Sequence, residues 1–413
     1  MARRKASSIK DIVNDYFDAV TKSRFTEMFL DYDKVPVTEL ADIVLGQSPD
    51  SSTYNNEGIG IPFYQGKSEF TDVFVRVDKF CSEPKKIAKE MDILMSVRAP
   101  VGAVNITKQK CCIGRGLAAI TPLAVKTNVW FLFNALKIME KQISDMGVGS
   151  TFTAISKDDM QRIKIPLAPL NLQNRFSDFV KQVERIRIHI LQLLDDLELS
   201  IRSKFIELFG NPISNTLNWP SFSLKELSVL LCNGKNVADA TTDYVDSGIP
   251  LLQSQNVWPN HFELDNILFI PDSLHEKMSK TELKTNDILI TKTGRINTEN
   301  SSLGRIAMYE DQLPRANISG EIYLIRLNDQ VIPKFVLYLL LTDSYRAYIR
   351  SCCPGGTDKR HLYIDKVEKF PIIVPPIELQ QKFVDYVDQV DSIKDLIIRT
   401  LTPINTSEAT SEE

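Results

Sequence analysis

Apolar side chains recur at Leu172, Phe176, Phe179, Val183, Ile186, Ile190, Leu193 and Leu197, so that steps of four and three residues alternate. That period is the seam of a coiled coil, narrower than the apolar stripe of a globular surface helix. No proline or glycine interrupts the run before Gly210-Asn211-Pro212, which reads as a helix stop. Leu172 to Phe209 therefore predicts one amphipathic helix of roughly 55 Å at ~1.5 Å per residue. A seam of that length needs a partner helix.

An internal repeat supplies the partner. Gly60-Ile61-Pro62-Phe63-Tyr64-Gln65 recurs as Gly248-Ile249-Pro250-Leu251-Leu252-Gln253, and Asp92-Ile93-Leu94-Met95 as Asp287-Ile288-Leu289-Ile290. Gly149-Ser150 recurs as Gly356-Thr357, and Pro169-x-x-Leu172-Gln173-x-x-Phe176 as Pro376-x-x-Leu379-Gln380-x-x-Phe383. Shifting the seam by 207 residues gives Leu379, Phe383, Tyr386, Val390, Ile393 and Ile397, a second but shorter seam helix. The missing half stands at the other end of the chain. Lys22–Phe29 resembles Arg202–Phe209 with a shift of 180, so residues 8–29 read as the second half of the central helix. The order is circular: half-helix, globular region, whole helix, globular region, half-helix. The two terminal helices are expected end to end and antiparallel against the central one. A pseudo-twofold axis would then relate the globular regions.

Those regions show short β-like runs between turn residues, among them Ile93–Val97, Leu117–Ile120, Asp287–Lys292 and Glu321–Leu327. Each closes with a helical stretch, about 127–145 and 333–350, then a short run into the proline that opens a seam helix. This is an α+β pattern. The expected boundaries are 1–30 for the N-terminal half-helix, 31–170 for the first globular domain and 171–212 for the central helix. The second globular domain spans 213–377, the C-terminal helix 378–402, and a disordered tail 403–413. Between the framework matches the two domains diverge, which suggests two related jobs on two targets.

Composition narrows the class. In 413 residues, 43% are hydrophobic and 25% charged, as in an ordinary soluble protein. No apolar run approaches the ~18 residues of a membrane span, and no apolar segment follows the basic start Met1–Lys5, so neither a membrane span nor a signal peptide is expected. A cytoplasmic location is the expectation. The cysteines Cys81, Cys111, Cys112, Cys232, Cys352 and Cys353 form no C-x2-C pair, which leaves reduced thiols in place of a metal site. Net charge is −4, yet residues 31–170 carry 17 basic against 16 acidic side chains and residues 211–377 carry 17 against 19. The acid excess sits in residues 378–413, with 3 basic and 8 acidic, and a nearly neutral domain binds DNA through a local basic face.

These motifs, in this order and occurring twice, resemble the specificity (S) subunit of type I restriction-modification systems. The carriers are the Gly-Ile-Pro runs, the Asp-Ile-Leu strands, Ser96-Val97-Arg98-Ala99-Pro100-Val101-Gly102, Cys112–Leu117, the Gly-Ser/Thr pairs and the Pro-x-x-Leu-Gln-x-x-Phe helix openings. The resemblance covers nearly the whole chain. Two departures stand out. Leu172 and Leu379 occupy the place of a usual Glu, and Lys292-Thr293-Gly294-Arg295 replaces the Ser-x-Arg-x-Pro-x-Gly pattern in the second domain.

The resemblance implies two target recognition domains, each reading half of a split sequence in double-stranded DNA, separated by an antiparallel coiled-coil spacer. It implies two methyltransferase (M) subunits as partners, bringing S-adenosylmethionine to methylate adenine N6. Two restriction (R) subunits that use ATP and Mg would complete the assembly. The chain itself would bind no cofactor. The residues agree: there is no Asp/Asn-Pro-Pro-Tyr/Phe motif, no glycine-rich nucleotide loop and no P-loop, and Asp158-Asp159 and Asp195-Asp196 read as solvated surface. A spacer of roughly 55 Å compares with about 16 base pairs, and the half-sites are expected on one face of the duplex, about one turn apart centre to centre.

Recognition domains need Arg and Lys for guanine, Asn and Gln for adenine, and Lys, Ser, Thr and main-chain N–H groups for phosphate. The candidates in the first domain are Gln65, Lys67, Arg98, Lys108, Gln109, Lys110, Arg115, Ser150 and Thr151. In the second they are Gln253, Gln255, Asn256, Lys292, Arg295, Asn297, Arg305, Arg315, Asn317, Lys359 and Arg360. Gln173 and Gln380 either cap or pair at the helix starts or contact a methyltransferase subunit. Two other readings stay open at this point: a chain with its own methyltransferase or nuclease site, and a coiled-coil scaffold that binds only protein.

Overall fold

The computed structural model describes residues 8–146, 154–235, 244–295, 301–353 and 359–402. They belong to two compact units, one of Asn14–His189 and the other of Met1–Val13 with Ile190–Glu413. One helix runs unbroken from Leu170 to Phe209. It ends where Gly210 turns left-handed at φ +70°, a conformation that costs glycine no Cβ clash. The N-terminal helix is Ile9–Phe29 and the C-terminal helix Ile377–Leu401.

Burial along the central helix departs from the expected seam at every second step. Phe176 and Val183 are buried, but Val180, Arg187 and Leu194 are buried where Phe179, Ile186 and Leu193 were expected. Phe179 is half-buried; Ile186 is 52% exposed and Leu193 44%. Val180, Arg187, Leu194 and Ile201 fall seven residues apart, as do Phe176 and Val183, so the 3.5-residue period is kept and only its alternate positions lie one residue later than expected. In the C-terminal helix Phe383 and Val390 are buried, Leu379, Tyr386 and Ile397 half-buried, and Ile393 exposed. Leu172 and Ile190 are half-buried.

The exposed Ile186 and Ile393 each precede a buried cation. Arg187 pairs with Glu184 at 2.5 Å and with Asp18 of the N-terminal helix at 3.4 Å. Lys394, in the other unit, pairs with Asp391 at 3.5 Å and with Glu198. The shifts of 207 and 180 carry one triad onto the other, so the repeat extends to a buried cation with partly exposed carboxylates, which apolar periodicity conceals.

Aromatic packing is duplicated in the same way. In the first unit Phe29 lies 5.0 Å from Phe131 and 5.5 Å from Phe176, and Phe25 lies 5.4 Å from Phe176. In the second, Phe209 lies 4.9 Å from Phe335 and 5.7 Å from Phe383, and Phe205 lies 5.4 Å from Phe383. All six contacts are edge-to-face, an arrangement ring quadrupoles prefer.

Gln173 and Gln380 are buried clamps, which removes the reading in which they meet a partner subunit. Gln173 Oε1 accepts from Thr127 Oγ1 at 2.9 Å and from the Asn128 amide at 3.2 Å, and Nε2 donates to the carbonyls of Lys126 and Ala168. Gln380 Oε1 accepts from the Ile332 amide at 2.9 Å and Nε2 donates to the Pro375 carbonyl at 2.8 Å. Each ties the helix that closes its domain to the start of the long helix behind it. Gln173→Leu would strand several buried polar groups at about 1–3 kcal/mol each. The expected result is a loss of about 3 kcal/mol or more in urea unfolding, against a negligible change for the exposed Asn174→Ala.

Each domain has the same sheet. In the first it is four-stranded and antiparallel, in the order Ala41–Leu45, Leu117–Pro122, Ile93–Ser96, Val104–Ile106. In the second the order is Ser228–Asn233, Ile322–Leu327, Ile288–Thr291, Ile306–Met308. The middle strands are buried on both faces: Ile93 and Met95 pack with Phe131 and Phe176, while Leu94 packs with Tyr64, Ile113 and Leu117. Beside the sheet, Ile61–Tyr64 runs parallel to Cys111–Ile113, and Ile249–Leu252 parallel to Asn317–Ile318. Cys81, Cys111, Cys112 and Cys353 are buried free thiols; burial pushes Cys111 up to about 12 and Cys112 to about 11. Among the described residues no helix is long and apolar enough to cross a membrane.

Candidate nucleic-acid interface

The parallel strand pair sets up a concavity at one end of each domain. In the first, the segments that follow Ile61–Tyr64, Ile93–Ser96 and Cys111–Ile113 converge. Gly114 N donates to the Tyr64 carbonyl at 2.8 Å, and Val97 N to the Gly116 carbonyl at 2.9 Å. Two glycines permit the approach: a Cβ on Gly46 would lie 2.1 Å from the Gly114 carbonyl oxygen, and one on Gly116 2.3 Å from that of Gln65. Gln65, Lys67, Arg98 and Arg115 line the resulting hollow of about 230 Å³, with Ser48 bonding the Arg115 amide at 3.3 Å. All four are exposed, and Ser96 Oγ anchors the Arg98 segment by donating to its carbonyl at 2.9 Å. Lys67 also pairs with Glu140 at 3.2 Å.

The second domain repeats the construction with other side chains. Ser319 N donates to the Leu252 carbonyl at 2.9 Å and Lys292 N to the Glu321 carbonyl at 3.0 Å, so Glu321 stands where Gly116 does. Tyr244, Gln253, Gln255 and Glu321 line a hollow of about 280 Å³. Position by position, Gln65 is matched by Gln253, Lys67 by Gln255, Arg98 by Thr293, Arg115 by Gly320 and Gly116 by Glu321. Three cations in one hollow thus face one carboxylate in the other.

The remaining candidates divide by burial and by strand direction. Lys108, Gln109 and Lys110 are exposed but precede Cys111–Ile113, at the end of that strand away from Arg115. The buried Asn256 holds its own turn, accepting from Gln253 N and donating to the Glu263 carbonyl. Asn317 is also buried and bonds Thr281 at 2.5 Å and Met278 at 3.2 Å. Lys292 is buried, donates to the Gly320 carbonyl and lies over the Tyr323 ring; burial lowers its basicity. Arg305 stacks 3.7 Å above Trp258 and donates to the Ser301 carbonyl. None of these four is presented as a DNA contact, since each polar head is spent on the domain's own backbone or rings. Arg315 is drawn off to Asp272 and Glu282. Arg295 and Lys359 are exposed on a two-stranded ribbon, Thr293–Arg295 against Lys359–His361, that leads out of the second hollow, and Arg360 there donates to the Cys353 carbonyl. Ser150, Thr151 and Asn297 lie outside the described residues, as do Gly149 and Gly356.

A model of the family described as the type I restriction modification DNA specificity domain matches residues 30–199 and again 217–405. The chain belongs to that family. A putative type I restriction enzyme specificity subunit, MjaX of Methanocaldococcus jannaschii, is 45% identical over 142 residues, 34% of this chain and 33% of that one. The MjaIX specificity subunit of the same organism is 21% identical over 383 residues, 86% of this chain and 85% of that one. The crystal structure of the HsdS subunit from Thermoanaerobacter tengcongensis is 36% identical over 44% of this chain and 46% of its own, with a TM-score of 0.39. The chain thus spans about a third of the first of these relatives.

Within this member of the specificity family, the sequence reading passed over Ser48, Tyr244 and Glu321. A signal was present for Glu321: a shift of 205 aligns Cys112–Leu117 with Asn317–Ile322 and sets Glu321 on Gly116. Base-reading and phosphate-binding chemistry sought in Arg, Lys, Asn, Gln, Ser and Thr does not reach a carboxylate. Among the described residues no group of three or more His, Cys, Asp and Glu could hold a metal ion.

Proposed function

We propose that this chain is the DNA sequence-recognition subunit of a type I restriction-modification enzyme, non-catalytic in itself, and that it reads a bipartite target in double-stranded DNA. The observation that carries the reading is one domain fold present twice, with equivalent hollows of unlike chemistry. Two copies of one scaffold with different linings suit two different half-sites. Family membership supplies the ligand class.

In this proposal the 40-residue central helix and the two terminal helices form an antiparallel coiled-coil spacer. A pseudo-twofold axis relates the recognition domains, and the helix length, roughly 60 Å at ~1.5 Å per residue, sets the gap between half-sites. Two methyltransferase subunits dock along the helices, where Ile186, Leu193, Leu199 and Ile393 are exposed apolar side chains that a partner would cover. They bring S-adenosylmethionine and methylate adenine N6. Two restriction subunits bring ATP and Mg chemistry, and the assembly works in the cytoplasm. The near-neutral recognition domains fit a complex in which partners complete the DNA clamp. Methylome sequencing of cells that express the chain with its methyltransferase subunit tests this. The expected motif has two specified parts and an unspecified gap; a continuous motif would contradict the reading.

A further inference from the structure

We infer that Glu321 reads the exocyclic amino group of a base in the second half-site, cytosine N4 being the best-matched donor. This rests on the reading of the hollows as DNA-facing.

The argument begins with what the second hollow lacks. Its counterpart draws DNA with Lys67, Arg98 and Arg115, and the matched positions Gln255, Thr293 and Gly320 are all neutral. Among the residues that line this hollow no cation attracts phosphate, and the carboxylate repels it. Glu321 follows Gly320 at the edge of the strand Ile322–Leu327, is exposed, and lines the hollow beside Gln253 and Gln255. Thr293 Oγ1 donates to its Oε2 at 3.0 Å, which orients the carboxylate and leaves the other oxygen for a donor. An ionised carboxylate accepts and cannot donate. In the major groove guanine N7 and O6 and thymine O4 present acceptors, whereas cytosine N4 and adenine N6 present donors. A carboxylate in that hollow therefore selects for an amino-bearing base and against guanine and thymine. Gln253 and Gln255, each with a donor and an acceptor, are suited to adenine beside it.

Another role for Glu321 is as counter-charge to the buried Lys292, whose protonated form it favours. The two roles separate in one experiment. Wild-type chain, Glu321→Gln and Glu321→Asp are each assembled with the methyltransferase subunit. Motifs are read by methylome sequencing, and thermal unfolding and the salt dependence of DNA binding are measured alongside. Loss of a good base contact, worth roughly 1–3 kcal/mol, corresponds to about 5- to 150-fold in discrimination. The expected result for Glu321→Gln is that one position of the second half-site, cytosine in the wild type, loses at least about tenfold of its preference. The first half-site and the salt slope stay unchanged. An unchanged second half-site in both variants would overturn the inference, with or without a loss of stability. So would a change in the first half-site. If the wild-type complex itself yields no bipartite motif, the DNA reading fails and not this assignment alone.

Discussion

Replacing Arg98 and Arg115 together by alanine is expected to weaken DNA binding by the assembled methyltransferase about 10- to 100-fold, and to lower the slope of log affinity against log salt by about 2. Both guanidinium groups are exposed on segments held in place by backbone hydrogen bonds, so truncation leaves the fold intact. Arginine there serves either as a phosphate anchor or as a bidentate reader of guanine. The two uses differ in what is lost: a phosphate contact lowers the slope for every sequence, whereas a base contact relaxes one position of the first half-site. Binding isotherms at several salt concentrations on specific and scrambled duplexes distinguish them. The same substitutions should leave the second half-site untouched. Unchanged affinity and slope would show that the first hollow does not face DNA.

The second large effect concerns the N-terminal helix. Phe29 is 1% exposed and packs on Phe131 and Phe176, while its neighbour Leu30 is 67% exposed. Phe29→Ala should cost about 3–5 kcal/mol through the cavity it leaves, and Leu30→Ala under about 0.5 kcal/mol. At about 2–4 °C per kcal/mol for a unit of this size, Phe29→Ala lowers the melting temperature by roughly 6–20 °C. Removing residues 8–29 altogether also takes away the buried Phe17 of the same unit, and the loss approaches the ~5–15 kcal/mol that holds a typical domain together. Calorimetry on the three variants should rank them wild type and Leu30→Ala first, then Phe29→Ala, then the truncation. If the truncated chain melted like the wild type and still assembled with its methyltransferase subunit, the N-terminal helix would not be part of the scaffold.

Much of this was legible in residue order. The shifts of 180 and 207 place Phe25, Phe29 and Phe176 on Phe205, Phe209 and Phe383, and each trio packs as a unit in its own domain. Repeats reveal such contacts because the same packing problem is solved twice. The lateral position of the seam was less legible. Counting apolar residues ranks Ile186 above Arg187, yet Arg187 is buried because Asp18 and Glu184 neutralise it. Pairing across helices is invisible to a single-helix pattern.

The candidate site was half legible for a related reason. Gln65, Arg98 and Arg115 lie just past strand ends, where a side chain leaves the sheet and meets solvent. Lys292, Arg305 and Asn317 have equally suitable chemistry. They sit where the second domain must satisfy its own buried carbonyls and hydroxyls, so their polar heads turn inward. Composition cannot separate these two fates of one residue type; burial can. Glu321 shows the converse, a residue type not expected of a DNA reader that nevertheless lines the hollow beside Gln253.

The most direct test of the central claim, that each domain reads its own half-site, is an exchange of residues 31–170 for the matching domain of another family member, read by methylome sequencing. The account predicts that one half of the bipartite motif changes while the other half and the gap length stay as they were. A motif that is unchanged, or altered in both halves, would contradict it.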